Sequence, residues 1–140
     1  MMIRMLYVST AAGPVTTAVT GTILRSAQAH NAANGITGVL CQGQGLYLQV
    51  LEGERPAVQA LYARIQLDKR HTKVEQRHVE DISRRRYGKW SMAHVDWAPL
   101  SIATSQNSPG LDPYTATGEQ VMAQIDALIA AGKVMDAPVV

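Results

Sequence analysis

The sequence predicts an α+β fold of the ferredoxin-like type, with a five-stranded mixed sheet, two helices on one face and a C-terminal helix on the other. Hydrophobic periodicity gives the order β-α-β-β-α-β-β, which is the ferredoxin-like order with one extra strand. The central strands are apolar on both faces, so each face needs a cover. A chain of 140 residues that is 46% hydrophobic can bury a core without disulfides or metals.

The first half of the chain predicts a strand, a helix and a hairpin. Residues 3–8 form an apolar strand that ends in a loop over 9–14, where Gly-Pro breaks the pattern. Residues 16–33 have helical spacing, and Asn34-Gly35 ends that helix. Strands over 36–41 and 46–52 flank a Gly-Gln-Gly turn. The inward positions of the helix are Val19, Ile23, Ala27, His30, Asn31 and Asn34.

The second half predicts a helix and two more strands. Pro56 is typical of a first helical residue, and the helix that it begins ends near Asp68. A more polar strand over 73–82, a basic turn over 84–86 and a last strand over 91–97 follow. We expect the basic turn to be a solvated loop.

Three segments are predicted: a domain over residues 1–98, a linker over 99–116, and a helical cap and tail over 117–140. The linker is rich in Ser, Thr, Pro and Gly. Thr117 and Gln120 are spaced as a capping box for the last helix. Leu6 and Val8 lie on the sheet face that the first two helices do not cover. We assign the cover of this face to the tail helix, to a second subunit, or to both.

Composition excludes several classes of function. A net charge of +2 is too small to require nucleic acid or an anionic membrane as a partner. The single cysteine, Cys41, leaves no internal disulfide and no C-x-x-C site, and we expect it to be an inert buried thiol. No apolar run is long enough to span a membrane, so a soluble, cytoplasmic protein is expected. No catalytic motif or metal-ligand spacing of histidines occurs, which argues against an enzyme.

Four polar residues lie in otherwise apolar elements and are the candidate site: Tyr7, Asn31, Gln49 and Arg64. Each also has a structural explanation. Tyr7 would then be a core tyrosine, Asn31 a helix-end amide, and Arg64 the partner of Asp68 one turn later. Gln49 is harder to explain, because an unpaired amide in an apolar strand costs about 1–3 kcal/mol. Together they suit a planar heteroaromatic ligand with alternating donors and acceptors.

The chain resembles the BLUF family of blue-light sensors that use FAD, over about Met5–Val95. Several ordered motifs carry the resemblance. They are Leu6-Tyr7-Val8-Ser9, Ser26-Ala27-Gln28-Ala29-His30-Asn31-Ala32, Gly35-Ile36-Thr37-Gly38-Val39-Leu40, Leu48-Gln49-Val50-Leu51-Glu52-Gly53, Arg64-Ile65, Asp68-Lys69-Arg70-His71 and Trp90-Ser91-Met92. Tyr47, Tyr87 and His30 depart from the family's commonest residues at their positions, where Phe, Phe and Asn are frequent.

The resemblance implies a flavin between the first two helices and a switch made by Tyr7 and Gln49. Tyr7 would bond to Gln49, and Gln49 would face flavin N5 and O4. Trp90 and Met92 would lie on the last strand, whose arrangement is linked to signalling. The remaining residues implied to bind FAD are Ile23 and Ile65 on the ring faces, Asn31 with His30 at the pyrimidine edge, and Arg64, Asp68 and Arg70 around the ring's polar edge.

The function expected is therefore a stand-alone FAD photoreceptor that signals to a partner protein or through a homo-oligomer. The residues after Trp97 leave no room for an attached cyclase or phosphodiesterase. Two alternatives stay open. One is a non-photochemical binding or oligomerisation module with the same fold. The other is an acylphosphatase-like hydrolase, although residues 9–14 lack the arginine that its anion cradle would need.

Overall fold

A computed structural model of the chain describes residues 1–14, 16–97 and 112–136. The strands are β1 (Met2–Ala11), β2 (Thr37–Gly43), β3 (Leu46–Glu54), β4 (His71–Ile82), β5 (Ala93–Asp96) and β6 (Val134–Asp136). The helices are α1 (Thr17–Asn34), α2 (Arg55–Gln66) and α3 (Gly118–Ala130). The described strands form one sheet in the order β4-β1-β3-β2-β5-β6, in which β2 and β5 pair in parallel and the other described neighbours pair antiparallel. The predicted α+β class with a mixed sheet is confirmed.

The helix ends follow from local sequence. Thr16 caps α1 by accepting a hydrogen bond from the backbone N–H of Val19, at 3.1 Å. Gly35 ends the helix in the left-handed conformation, with φ of 65°, which favours a residue without a Cβ. The predicted capping box of α3 is present, with both of its hydrogen bonds made.

Two apolar cores lie on opposite faces of the sheet. The first core lies between the sheet and helices α1 and α2, and it includes Met5, Leu51 and Val58. The second core lies between the sheet and α3, where Ile125 and Leu128 are fully buried. Leu6, Val8, Leu48 and Val50 belong to this second core. The predicted cover of the second sheet face is therefore α3.

Several element boundaries differ from the prediction. β1 continues to Ala11, into the predicted loop, because Thr10 and Ala11 still pair with neighbouring strands. The last predicted strand is shorter, since β5 covers only Ala93–Asp96. The sheet also has a sixth strand that was not predicted. β6 has three residues and pairs with β5 at the sheet edge, and so short an element shows no periodicity.

The predicted linker over 99–116 falls largely outside the described residues. Of that stretch the structure describes 112–116, which form a turn that leads to α3. No helix among the described residues is both long enough and apolar enough to cross a membrane.

Candidate functional site

The candidate site is a cleft between α1, α2 and the first face of the sheet. Its lining includes Tyr7 and all eight residues that the sequence assigned to cofactor binding. Those eight are Ile23, His30, Asn31, Gln49, Arg64, Ile65, Asp68 and Arg70. The structure therefore brings residues from four separate elements and one loop together around one space.

Tyr7 and Gln49 lie side by side because β1 and β3 pair in a register that places these two residues opposite each other. The Tyr7 hydroxyl donates a hydrogen bond to Gln49 Oε1, at 2.5 Å. Gln49 Nε2 in turn donates to Met92 Sδ, at 3.4 Å. Both ends of the buried amide thus have a hydrogen-bond partner. The free-energy cost of an unpaired buried amide is therefore avoided. The three side chains form a chain of contacts from β1 through β3 to residue 92.

The environment of Tyr7 keeps its hydroxyl protonated. Burial raises the pKa of Tyr7 far above its usual value, and the negative charge of Asp68 raises it further. The rings of Tyr62 and His71 pack around it, with centroids 5.8 and 6.3 Å away. At neutral pH Tyr7 is therefore a neutral phenol that donates to Gln49.

Asn31 contributes a buried hydrogen-bond acceptor to the cleft. Its side chain is fully buried, and Nδ2 donates to the backbone carbonyl of Ser91, at 2.9 Å. Oδ1 has no hydrogen-bond partner among the described residues. Because such an acceptor costs about 1–3 kcal/mol when it is unpaired, the position suits a ligand that carries an N–H group.

Charged groups surround the open side of the cleft in two pairs. Arg64 donates to His30 Nδ1, at 2.9 Å, and burial together with the Arg64 charge lowers the pKa of His30. Arg70 bonds both carboxylate oxygens of Asp68, with Nε 3.0 Å from each. This hydrogen bonding holds the pKa of Asp68 below its usual value. The alternative in which Arg64 pairs with Asp68 is not found, since Arg64 bonds His30 and Asp68 bonds Arg70.

Ile23 and Ile65 bring an aliphatic side chain from each helix to the cleft, and both also pack against the first core. The sequence did not assign Tyr47, Leu40 or His71 to the site, although all three line it. Leu40 pairs with Gln49 across β2 and β3. His71 is the first residue of β4, two residues before the predicted start of that strand. The predicted strand therefore did not include His71, and strand alternation could not place its side chain on the face of the site.

Trp90 and Met92 lie on different faces of the sheet. Met92 is fully buried in the first core, whereas Trp90 packs against the second core near Tyr87. The Trp90 and Tyr87 rings are nearly parallel, with centroids 6.3 Å apart. Neither residue lies on β5, where both were expected, because that strand begins at Ala93. Met92 contacts Gln49, and Trp90 is not part of the cleft lining.

The remaining sequence candidates have structural roles. Cys41 is buried, and burial raises the pKa of its thiol, so it stays protonated. The described residues contain no group of three or more His, Cys, Asp or Glu side chains that could hold a metal ion.

The basic turn is not simply a solvated loop. Arg85 donates to Thr37 Oγ1 at 3.0 Å, and Tyr87 is buried.

Comparison with known proteins identifies the family of this chain. Residues 2–93 match the family model described as sensors of blue light using FAD, the BLUF family. The beta subunit of photoactivated adenylate cyclase from Euglena gracilis is 39% identical over 87 residues, which are 61% of this chain and 10% of that protein. The photoactivated adenylate cyclase subunit alpha-like protein FB from Euglena gracilis is 40% identical over 62% of this chain and 8% of its own length. The chain therefore spans a small part of these relatives.

Solved structures agree in fold along most of the chain. BlsA in its photo-activated state superimposes with a TM-score of 0.82 and 26% identity, covering 92% of this chain and 95% of that one. The dark-state structure of BlrB, a BLUF protein, gives a TM-score of 0.75 and 27% identity, covering 94% and 96% of the two chains. The family match covers residues 2–93, and the cleft with its Tyr7–Gln49 pair lies within this range. This chain belongs to the BLUF family of flavin-based blue-light sensors.

Proposed function

We propose that this chain binds FAD non-covalently in the cleft between α1 and α2 and reports blue light through Tyr7, Gln49 and Met92. The observation that supports this assignment best is the continuous hydrogen-bonded path among these three side chains. It joins a phenol to an amide that donates and accepts at once. In this proposal residues 1–98 form the sensor domain, residues 99–116 a linker and residues 117–140 a helical cap and tail.

The residues of the cleft fit a flavin. The unpaired Oδ1 of buried Asn31 suits the N–H of the flavin pyrimidine ring. Ile23 and Ile65 offer aliphatic surfaces from opposite helices to a flat ring. His30, Arg64, Asp68 and Arg70 place polar groups around the open side. When bound, flavin would supply blue-light absorption and an excited state that accepts an electron.

Tyr7 would provide the electron and the proton, because it is the buried phenol in contact with the switching amide. Gln49 would then rotate or tautomerise, which exchanges the positions of its donor and acceptor. Either change alters the hydrogen bond from Gln49 to Met92 Sδ, which is 3.4 Å long in this structure. Nothing is consumed, so the arrangement returns in the dark.

The signal would leave through the segment that follows Met92. β5 begins at the next residue and contacts both β2 and β6, and it lies over α3 in the second core. A change at Met92 therefore biases the position of β5 and α3 between two arrangements. We propose that a partner protein or a homo-oligomer reads this change.

The test is a flavin and light experiment on the full chain. The purified protein should be yellow, should release FAD rather than FMN on denaturation, and should show a small reversible red shift under blue light. A colourless protein that also fails to bind added FAD would overturn the proposal. Flavin binding with no light response would instead favour a non-photochemical binding module.

A further inference from the structure

We propose that a second cleft, between the loop over residues 85–90 and α3, binds an acidic segment of a partner protein that also carries an apolar side chain. We call it the basic cleft, and its lining is completed by Asp126 and Ile129. Its volume is about 430 Å³, which is enough for a few side chains of a partner. It lies on the opposite side of the sheet from the flavin cleft, since Trp90 and Tyr87 pack in the second core.

The loop of the basic cleft has a fixed shape because one buried carboxylate holds it. Glu52 is fully buried and accepts hydrogen bonds from the backbone N–H groups of Arg86 and Tyr87, each at 2.7 Å. It also accepts from Arg4 Nε, at 2.8 Å. A carboxylate with three such donors anchors the loop firmly to β3. The cleft is therefore formed before any partner arrives.

The charge of the loop favours an acidic partner. Four of the six residues from 84 to 89 are Arg or Lys. Arg86 is neutralised by Asp126, with Nη1 to Oδ2 at 3.0 Å. Arg85 donates only to neutral oxygens, Thr37 Oγ1 at 3.0 Å and the Glu52 carbonyl at 3.1 Å. Arg84 and Lys89 are exposed and form no ion pair with any other described residue.

The same cleft has an apolar side, which separates a protein partner from a simple anion. Tyr87, Trp90 and Ile129 provide two aromatic rings and an aliphatic chain beside Arg85 and Lys89, which also line the cleft. A partner segment with carboxylates on either side of an apolar residue would pair with the cations and also fill the apolar side of the cleft. The chain's own undescribed residues, 98–111 and 137–140, contain no Asp or Glu. We therefore assign the acidic complement to a partner protein.

The basic cleft is also connected to the flavin cleft through a short stretch of chain. Trp90 lines the basic cleft, and Met92, two residues later, accepts the hydrogen bond from Gln49. Glu52, which holds the loop, lies three residues after Gln49 on β3. A light-driven change at Gln49 would thus reach the basic cleft by two routes, so its affinity for a partner should differ between dark and light. This light dependence rests on the proposed function.

The test is fluorescence anisotropy of the full chain with a short synthetic peptide of glutamate and leucine, labelled with a far-red dye. We expect the peptide to bind, and the Arg84→Gln/Lys89→Gln double variant to bind roughly 3- to 10-fold more weakly, as for two exposed charge pairs. A matched Lys69→Gln/Lys73→Gln variant removes the same charge elsewhere and should bind as the unmodified protein does. The peptide with glutamine in place of glutamate should bind weakly.

Three binding results would overturn the inference. They are no binding at all, an equal loss in both double variants, or tighter binding of a DNA duplex of the same charge. Self-association that the Arg84→Gln/Lys89→Gln variant abolishes would assign the cleft to a second copy instead, and would also overturn it. The light-induced red shift is recorded in the same samples. A red shift without peptide binding refutes the basic cleft alone, whereas peptide binding in the dark without any red shift upholds the cleft and refutes the proposed function.

Discussion

Replacing Asn31 with alanine separates its structural contribution from its proposed contact with flavin. The substitution removes the 2.9 Å hydrogen bond from Nδ2 to the Ser91 carbonyl and leaves that carbonyl without this donor. Leaving a buried acceptor unpaired costs about 1–3 kcal/mol. Because Oδ1 is itself unpaired without a ligand, its removal offsets part of this cost. The free energy of unfolding of the flavin-free protein should therefore fall by about 1 kcal/mol.

The substitution should lower the free energy of unfolding of the flavin-bound protein by more than that of the flavin-free protein. If Oδ1 accepts a hydrogen bond from flavin, the variant also loses a net contribution of about 0.5–1.5 kcal/mol. That loss weakens flavin binding by roughly 2- to 12-fold, since 1.4 kcal/mol is a factor of ten. Urea unfolding followed by circular dichroism measures the first effect, and quenching of flavin fluorescence measures the second.

Asn34→Ala is the matched control for this experiment. Asn34 is on the same helix but is exposed, and its Nδ2 donates only to the His30 carbonyl, at 2.8 Å. Asn34→Ala should change the free energy of unfolding and the free energy of flavin binding by less than about 0.5 kcal/mol each. If Asn31→Ala folds and binds flavin as tightly as the unmodified chain, the unpaired Oδ1 is not a flavin contact and the reasoning is refuted.

Three further predictions concern the cores and the rim of the site. Ile125→Ala should lower the free energy of unfolding by about 2–5 kcal/mol because Ile125 is fully buried, and Ile129→Ala, at a partly buried position, should cost less; equal costs in urea unfolding would contradict the docking of α3. Glu52→Gln should cost about 1.5–3 kcal/mol in the same assay, since it weakens the charged hydrogen bonds to the loop and to Arg4 while Arg4 keeps Glu80 as an acidic partner, and a change below about 0.5 kcal/mol would contradict the anchoring of the loop. His30 has a lowered pKa, so the stability that it contributes is present above about pH 6.5 and is lost as the pH falls through its folded-state pKa. Flavin retention should decline over that range as His30 stops accepting from Arg64, and His30→Gln should flatten the decline; an unchanged pH profile in the variant would show that His30 is not responsible.

Local patterns were sufficient to predict most of the fold. The left-handed Gly35 and the Thr117–Gln120 box are both local, and their positions in the structure match the prediction. The strand alternation that placed Leu6 on one face and Tyr7 on the other depends only on a period of two, and it also holds. These features could be predicted because each depends on residues close together in the chain.

Features that depend on tertiary pairing could not be predicted in this way. β6 exists because β5 offers it an edge, and its three residues carry no pattern of their own. Glu52 occurs at the end of an apolar strand, and only the fold brings Arg4 and the backbone of Arg86 to it. The helical spacing of Arg64 and Asp68 allowed a pair that does not form, because Arg64 has a tertiary partner in His30 and Asp68 a local one in Arg70.

The sequence predicted most of the residues that line the site but not which side chain contacts Gln49. Family motifs indicated Tyr7 and Gln49, and strand register explains why they meet. The choice between Met92 and Trp90 depends on where the chain passes from one sheet face to the other. That crossing occurs between residues 90 and 92, within a segment that has no regular alternation. Sequence spacing alone therefore could not show which side chain contacts Gln49.

The most direct test of the central claim is the light-minus-dark absorption spectrum of Tyr7→Phe and Gln49→Leu beside the unmodified chain. Tyr62→Phe is the matched control, since its ring centroid lies 5.8 Å from that of Tyr7, whereas the hydrogen bonds of the Gln49 amide go to Tyr7 and Met92. The account predicts a reversible red shift in the unmodified chain and in Tyr62→Phe. It predicts that Tyr7→Phe and Gln49→Leu keep their flavin but lose the shift. A normal red shift in either of these two variants would contradict the claim that Tyr7 and Gln49 form the switch.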